Sequence, residues 1–115
     1  MEFELELTSQ ACPEQYDVFR GERLVGYIRL RNGYLYLSYP DAYGETIYEH
    51  VFEDKLKGSF DSDEERNHYL VESLTVLKNT IINEMIDGNL DEVRYSIRWK
   101  KIMKKWFHIE LKMKL

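Results

Sequence analysis

The residues able to do covalent or proton-transfer chemistry in this chain are few and scattered. One cysteine, Cys12, precedes Pro13, and the three histidines, His50, His68 and His108, stand apart with no His-x-x-x-His pair. A thiolate-cluster metal site and an internal disulfide both need more cysteine than this. Cys12, lacking any catalytic signature around it, is expected to pack as a small apolar residue, with Pro13 pushing it towards extended backbone. The six glycines form no Gly-x-Gly, so no phosphate loop or dinucleotide fingerprint is present. Asp63, Glu64 and Glu65 are clustered acids, and a helix start accounts for them. The expectation is a protein that is not an enzyme, with no catalytic residue, no cofactor and no metal.

The remaining chemistry is that of binding. Arg29, Arg31, Tyr34 and Tyr36 alternate with apolar residues on either side of Asn32-Gly33. Tyrosine and arginine dominate protein-interface hot spots, and the same pair of residue types stacks single-stranded bases. A structural role is the third reading, with tyrosine rings packed and hydroxyls left wet. The second candidate is the basic stretch 94–106, RYSIRWKKIMKKW, with Arg94, Arg98, Lys100, Lys101, Lys104 and Lys105. It suits a nucleic-acid or membrane surface, or it neutralises acid elsewhere in the chain. The third is the acidic row Glu2, Glu4 and Glu6, which as an array of carboxylates would imitate DNA phosphate.

The elements that must position these residues follow from periodicity. Residues 2–8 alternate, with Phe3, Leu5 and Leu7 opposite the three glutamates, as a half-buried strand does; the charge suits a sheet edge. From Gln15 to Phe52 four short runs are separated by turn residues. Asn32-Gly33 is the strongest hairpin signal, since a type I′ turn needs positive φ at both positions. Its register pairs Arg31 with Tyr34, Leu30 with Leu35, Arg29 with Tyr36 and Ile28 with Leu37. One face then carries Ile28, Leu30, Leu35 and Leu37, and the other Tyr27, Arg29, Arg31, Tyr34 and Tyr36. Gly21-Glu22 suits a type II′ turn pairing Phe19 with Leu24 and Val18 with Val25. That register puts Phe19 and Leu24 in the core, with Tyr16, Val18 and Val25 beside Tyr27 on the second face. A sheet apolar on both faces is expected to be covered, at least in part, on both.

Residues 53–60 read as a loop. Ser62 and Glu65 form a capping box opening a helix, with Leu70, Leu74, Leu77, Ile81 and Met85 as its apolar stripe, widened by Val71, Ile82 and Ile86. Gly88 ends it. Residues 93–105 fit a helix and a strand equally, and 107–115 alternate as a strand. The fold class is therefore α+β: an antiparallel meander of about five strands, one long helix packed on it, and a basic C-terminal segment ending in a strand.

At 115 residues, 43% hydrophobic, the chain reads as one folded domain. An acidic body, 1–88, precedes a basic extension, 89–115. Residues 93–115 hold eight Lys/Arg against one acid, a charge of +7, whereas the first 92 carry −12, giving the net −5. No run of apolar residues is long enough for a membrane span, and the acidic, alternating N-terminus is unlike a signal peptide. The cytosol is the simplest location. An exposed tyrosine edge leaves a homodimer open.

Taken together, the runs CPEQYDV (12–18), GYIRLR (26–31), Tyr39-Pro40, GETIYE (44–49) and DEER (63–66) resemble a group of small uncharacterised proteins from phages, prophages and integrative elements. The resemblance covers about residues 11–70 and does not extend to the basic segment after Gly88. It implies a mobile-element setting in the cytoplasm of a bacterial host, where small non-enzymatic proteins bind and modulate other factors. The expectation is a non-catalytic binding protein that modulates or inhibits a host or phage protein through Arg29, Arg31, Tyr34 and Tyr36, through the acidic body, or through both. The alternative is a nucleic-acid binder using the basic segment with the tyrosine and arginine face.

Overall fold

The structure, a computed structural model, describes residues 1–9, 12–84, 93–98 and 108–109. Five strands run as an antiparallel meander: β1 (Glu2–Ser9), β2 (Glu14–Arg20), β3 (Arg23–Arg31), β4 (Tyr34–Tyr39) and β5 (Glu45–Val51). The helix α1 (Asp63–Glu84) follows, then β6 (Arg94–Arg98) and β7 (His108–Ile109). The sheet order is β5-β4-β3-β2-β1-β6-β7, so the chain is α+β with the C-terminal strands added beside β1.

The Asn32-Gly33 hairpin has the expected register, Arg31 opposite Tyr34 through Ile28 opposite Leu37. Asn32 and Gly33 take φ of 53° and 73°, as a type I′ turn demands. At the neighbouring turn Gly21 alone is left-handed, which fits a type II′ turn.

Between β2 and β3 the expected register fails. Phe19 pairs with Leu24, but Val18 pairs with Gly26, so Val25 is an extra residue in a β-bulge. One inserted residue exchanges the faces of everything beyond it. Tyr16 and Val18 therefore point into the core with Ile28 and Leu30, whereas Leu24 is 38% exposed. The second face thus exchanges Tyr16 and Val18 for Phe19 and Leu24, which were expected in the core.

A second correction concerns β1. It is not an edge, because β6 pairs with it in parallel, Glu2 opposite Arg94, Leu5 opposite Ile97 and Glu6 opposite Arg98. The ambiguous segment is a strand at 94–98. Trp99 to Lys105, the helix end at Gly88, Met85 and Ile86, and residues 110–115 lie outside the described residues.

Helix α1 covers one face. Leu70, Val71, Leu74, Leu77 and Ile81 are buried against Leu5, Val18, Ile28, Leu30, Leu35 and Leu37. A Cβ on Gly26 would lie 3.5 Å from Leu77, which shows how closely the helix approaches β3. Ser62 caps the helix by accepting from the Glu65 N–H at 3.0 Å, and the Glu65 carboxylate accepts from the Asp61 N–H at 3.1 Å. The return bond thus reaches one residue further back than a standard capping box.

The loop between β5 and α1 closes the end of the sheet. Gly33 N–H donates to the Lys57 carbonyl at 2.8 Å, and Glu14 N–H to the Gly58 carbonyl at 2.7 Å. Cys12 is exposed rather than packed, has φ of 22° rather than an extended backbone, and lies against Gly58. The Lys57 ammonium, tucked beneath the loop, bridges Asp61 at 2.9 Å and Glu65 at 2.8 Å.

Candidate docking face

The ladders place each functional side chain. Residues directly opposite each other in a sheet share a face. Starting from Phe3, Leu5 and Leu7 under the helix, Glu2, Glu4 and Glu6 belong to the other face. Glu6 pairs with Asp17, Asp17 with Tyr27, Gln15 with Arg29, Arg29 with Tyr36, Arg31 with Tyr34, and Tyr36 with Glu49. Across β6, Arg94 and Arg98 occupy positions opposite Glu2 and Glu6. Two surfaces that read as separate in the sequence, the acidic row of β1 and the tyrosine and arginine patch, therefore share one sheet face. Among the described residues no element packs on it, since α1 lies on the opposite side.

Arg29, Arg31, Tyr34 and Tyr36 are brought together as expected. The Tyr34 and Tyr36 rings stack with centroids 5.4 Å apart, and Tyr27 tilts against Tyr36 at 6.2 Å. The Tyr34 hydroxyl donates to Glu49 at 2.6 Å; this bond, with burial and the charge of Glu49, pushes its pKa up to about 12. Tyr27 donates to Gln15 at 2.9 Å, and burial raises its pKa. These bonds hold the Tyr34 and Tyr27 rings on either side of Tyr36. Beside them the Arg29 Nε is enclosed and donates to no acceptor. Leaving such a donor unsatisfied costs about 1–3 kcal/mol, and a carboxylate is the acceptor that a guanidinium fits best.

Arg94 and Arg98 are backbone partners of Glu2 and Glu6, and their strand is separated from β3 by β1 and β2. Lys100, Lys101, Lys104 and Lys105 lie outside the described residues. Sequence reasoning did not join Asp17, Gln15 and Glu49 to the face; the bulge at Val25 hid the first two, because it sets which side of β2 looks outward.

Beneath the sheet, a polar cluster also escaped notice. Glu14, 2% exposed, accepts from Arg66 Nε at 2.8 Å, from a terminal Arg66 nitrogen at 3.1 Å, from the Phe60 N–H at 3.2 Å and from the Tyr16 hydroxyl. The hydrogen bond and charge of Glu14 hold the Arg66 guanidinium firmly charged. Burial foremost, with Glu14 beside it, pushes the Tyr16 phenol far up. This cluster is enclosed and satisfied, which marks it as support for the fold.

Two histidines, His50 and His68, have described side chains. His50 lies in a ring cluster with Phe52 and Tyr69, and His68 pairs with Glu72 at 3.0 Å. His68 also follows Glu65 at a ligand-like spacing of three on α1, but the Glu65 carboxylate is taken by Lys57 and the Asp61 N–H. Among the described residues no three His, Cys, Asp or Glu side chains gather as metal ligands, and no helix is long and apolar enough to cross a membrane. Comparison with protein-family models, with curated proteins and with solved structures finds no match.

Proposed function

We propose that this chain is a non-catalytic binding protein that docks an acidic patch of another protein on its open sheet face, and so modulates that protein. The observation that carries this reading is the row of Arg29 and Arg31 opposite the stacked Tyr34 and Tyr36, on the sheet face away from α1. A partner carboxylate would meet the guanidinium groups, and the stacked rings offer contact area. The resemblance of residues 11–70 to phage and mobile-element proteins supports a host or phage protein as the target. Nucleic acid fits the face less well, because phosphates at Arg29 and Arg31 would lie near Asp17, Glu6 and Glu49 on the same face.

The test is capture from a bacterial lysate on the immobilised chain, with and without nuclease, beside an Arg29→Glu bait. The reading expects a protein that survives nuclease and is lost on the Arg29→Glu bait. Material released by nuclease would overturn it in favour of nucleic acid. Equal capture on both baits would remove the face from the account.

A further inference from the structure

We infer that the outer edge of β5 is a further binding site, where an extended, basic segment of a partner protein adds a strand to the sheet. The site uses backbone groups of the strand edge and does not rest on the reading of Arg29 and Arg31.

β5 ends the sheet order: β4 pairs with one side of it, and among the described residues no strand pairs with the other. One bond shows which backbone groups look outward. The Phe52 N–H donates to the Gly33 carbonyl at 2.8 Å, in the same register that sets Val51 opposite Tyr34 and His50 opposite Leu35. Phe52 is thus turned towards β4, and in an antiparallel ladder successive residues alternate between the two edges. His50 falls in the inward set with Phe52. Glu49 and Val51 direct their N–H and C=O groups away from β4. Their side chains, opposite Tyr36 and Tyr34, lie on the open face, and Val51 is 59% exposed. An incoming strand would find a donor and an acceptor at each of these two residues.

The side chains beside the edge name the chemistry of that strand. From Glu45 to Asp54 the chain holds Glu45, Glu49, Glu53 and Asp54, with no Lys or Arg. The residue set opposite Glu49 shares the open face with its carboxylate, where Lys or Arg is favoured and an acid opposed. Glu49 accepts from the Tyr34 hydroxyl at 2.6 Å, so the carboxylate is held where an added lysine would meet it. The residue opposite Val51 meets exposed apolar surface. The residue between them lies on the helix side beside His50, whose ring is 4.6 Å from Phe52 and 4.7 Å from Tyr69. An aliphatic or aromatic side chain suits that position. The edge also carries its own protection against other strands. The register shift between Leu37 and Ser38 bends the first half of β5, which confines the site to residues 48–52. Glu49 sets an uncompensated carboxylate against any acidic strand, so it both guards the edge and selects the partner.

Amide hydrogen exchange, read by NMR on the full chain alone and with a synthetic peptide of alternating valine and lysine, tests the inference. In the free chain the Glu49 and Val51 amides should exchange roughly tenfold faster or more than those of His50 and Phe52, and the peptide should slow them by a similar factor. Val51→Pro removes an outward N–H that β4 does not use, and proline is tolerated on the outer side of an edge. It should abolish the protection of Glu49 and leave the exchange of Ile28 and Leu30 unchanged. Glu49→Lys should reverse the preference, so that a valine–glutamate peptide binds in place of the valine–lysine one. Damage to the fold would not produce that gain, so this variant decides even if Val51→Pro unfolds. Slow exchange at Glu49 and Val51 in the free chain would show the edge already covered and overturn the inference. So would a peptide that protects neither amide, or equal binding of the lysine and glutamate peptides to the native chain. These readouts do not pass through Arg29, so this experiment and the capture on the Arg29→Glu bait fail separately.

Discussion

Arg66 of the helix holds both carboxylate oxygens of Glu14, with its Nε 2.8 Å from one and a terminal nitrogen 3.1 Å from the other. The two residues lie far apart in the chain, so this one pair ties the first turn of α1 to the start of β2. Asp63 binds the same guanidinium at 2.6 Å from the solvent side. Removing one partner of a buried pair strands the other charge, at about 3–5 kcal/mol. Arg66→Met and Glu14→Gln should each lower the unfolding free energy by roughly that amount. A urea titration of both variants and their double mutant checks it: the double should cost clearly less than the two singles added. Simple additivity would show that the pair is not coupled.

The two left-handed glycines should differ in what alanine costs. At Gly33, φ is 73° and a Cβ would lie 2.5 Å from the Asp54 carbonyl oxygen, whereas at Gly21, φ is 63° and nothing lies within 4 Å. Gly21→Ala should therefore cost about 1 kcal/mol from backbone conformation alone. Gly33→Ala should cost about 2–3 kcal/mol or more, since the 53–60 loop must also move. Thermal unfolding of both variants decides the order, and equal losses would mean that the loop does not press on the turn.

Alkaline pH should destabilise the protein through its buried phenols. Burial raises the Tyr95 pKa from 10.0 to about 12, and raises those of Tyr16 and Tyr48 further still. The folded state thus holds these protons more tightly than the unfolded chain, so their contribution is fully present below pH 10 and is lost as pH rises towards 12 and beyond. Absorbance titration should show a group of tyrosines ionising late, with their release coinciding with unfolding. Stability that rises across this interval would contradict the assignment.

Much of the fold was legible because its signals are local. Asn32-Gly33, the alternation of residues 2–8, and Ser62 with Glu65 each act through a few neighbouring residues, and each appears where expected. Arg29, Arg31, Tyr34 and Tyr36 were placed correctly because that hairpin alone sets their register. Two features were not legible. The bulge at Val25 depends on which side of β2 packs better under α1, a competition between strands that spacing does not encode. The pairing of β6 with β1 joins opposite ends of the chain, and Val93, Tyr95 and Ile97 alternate as well as they fit a helix until β1 is there to receive them. The charge asymmetry was visible; that the acidic row of β1 shares a face with Arg29 and Arg31 was not.

The central claim is that the face carrying Arg29, Tyr34 and Tyr36 is where a partner docks. Tyr34 and Tyr43 offer a paired readout, because Tyr34 lies on that face and Tyr43, 98% exposed, sits in the turn before β5. Hydroxyl-radical footprinting, run on the dilute chain alone and with the captured partner, would read both side chains in one experiment. The account predicts that the partner protects Tyr34 and Tyr36 and leaves Tyr43 as reactive as before. Protection of Tyr43 with Tyr34 and Tyr36 unchanged would place the partner elsewhere and contradict it.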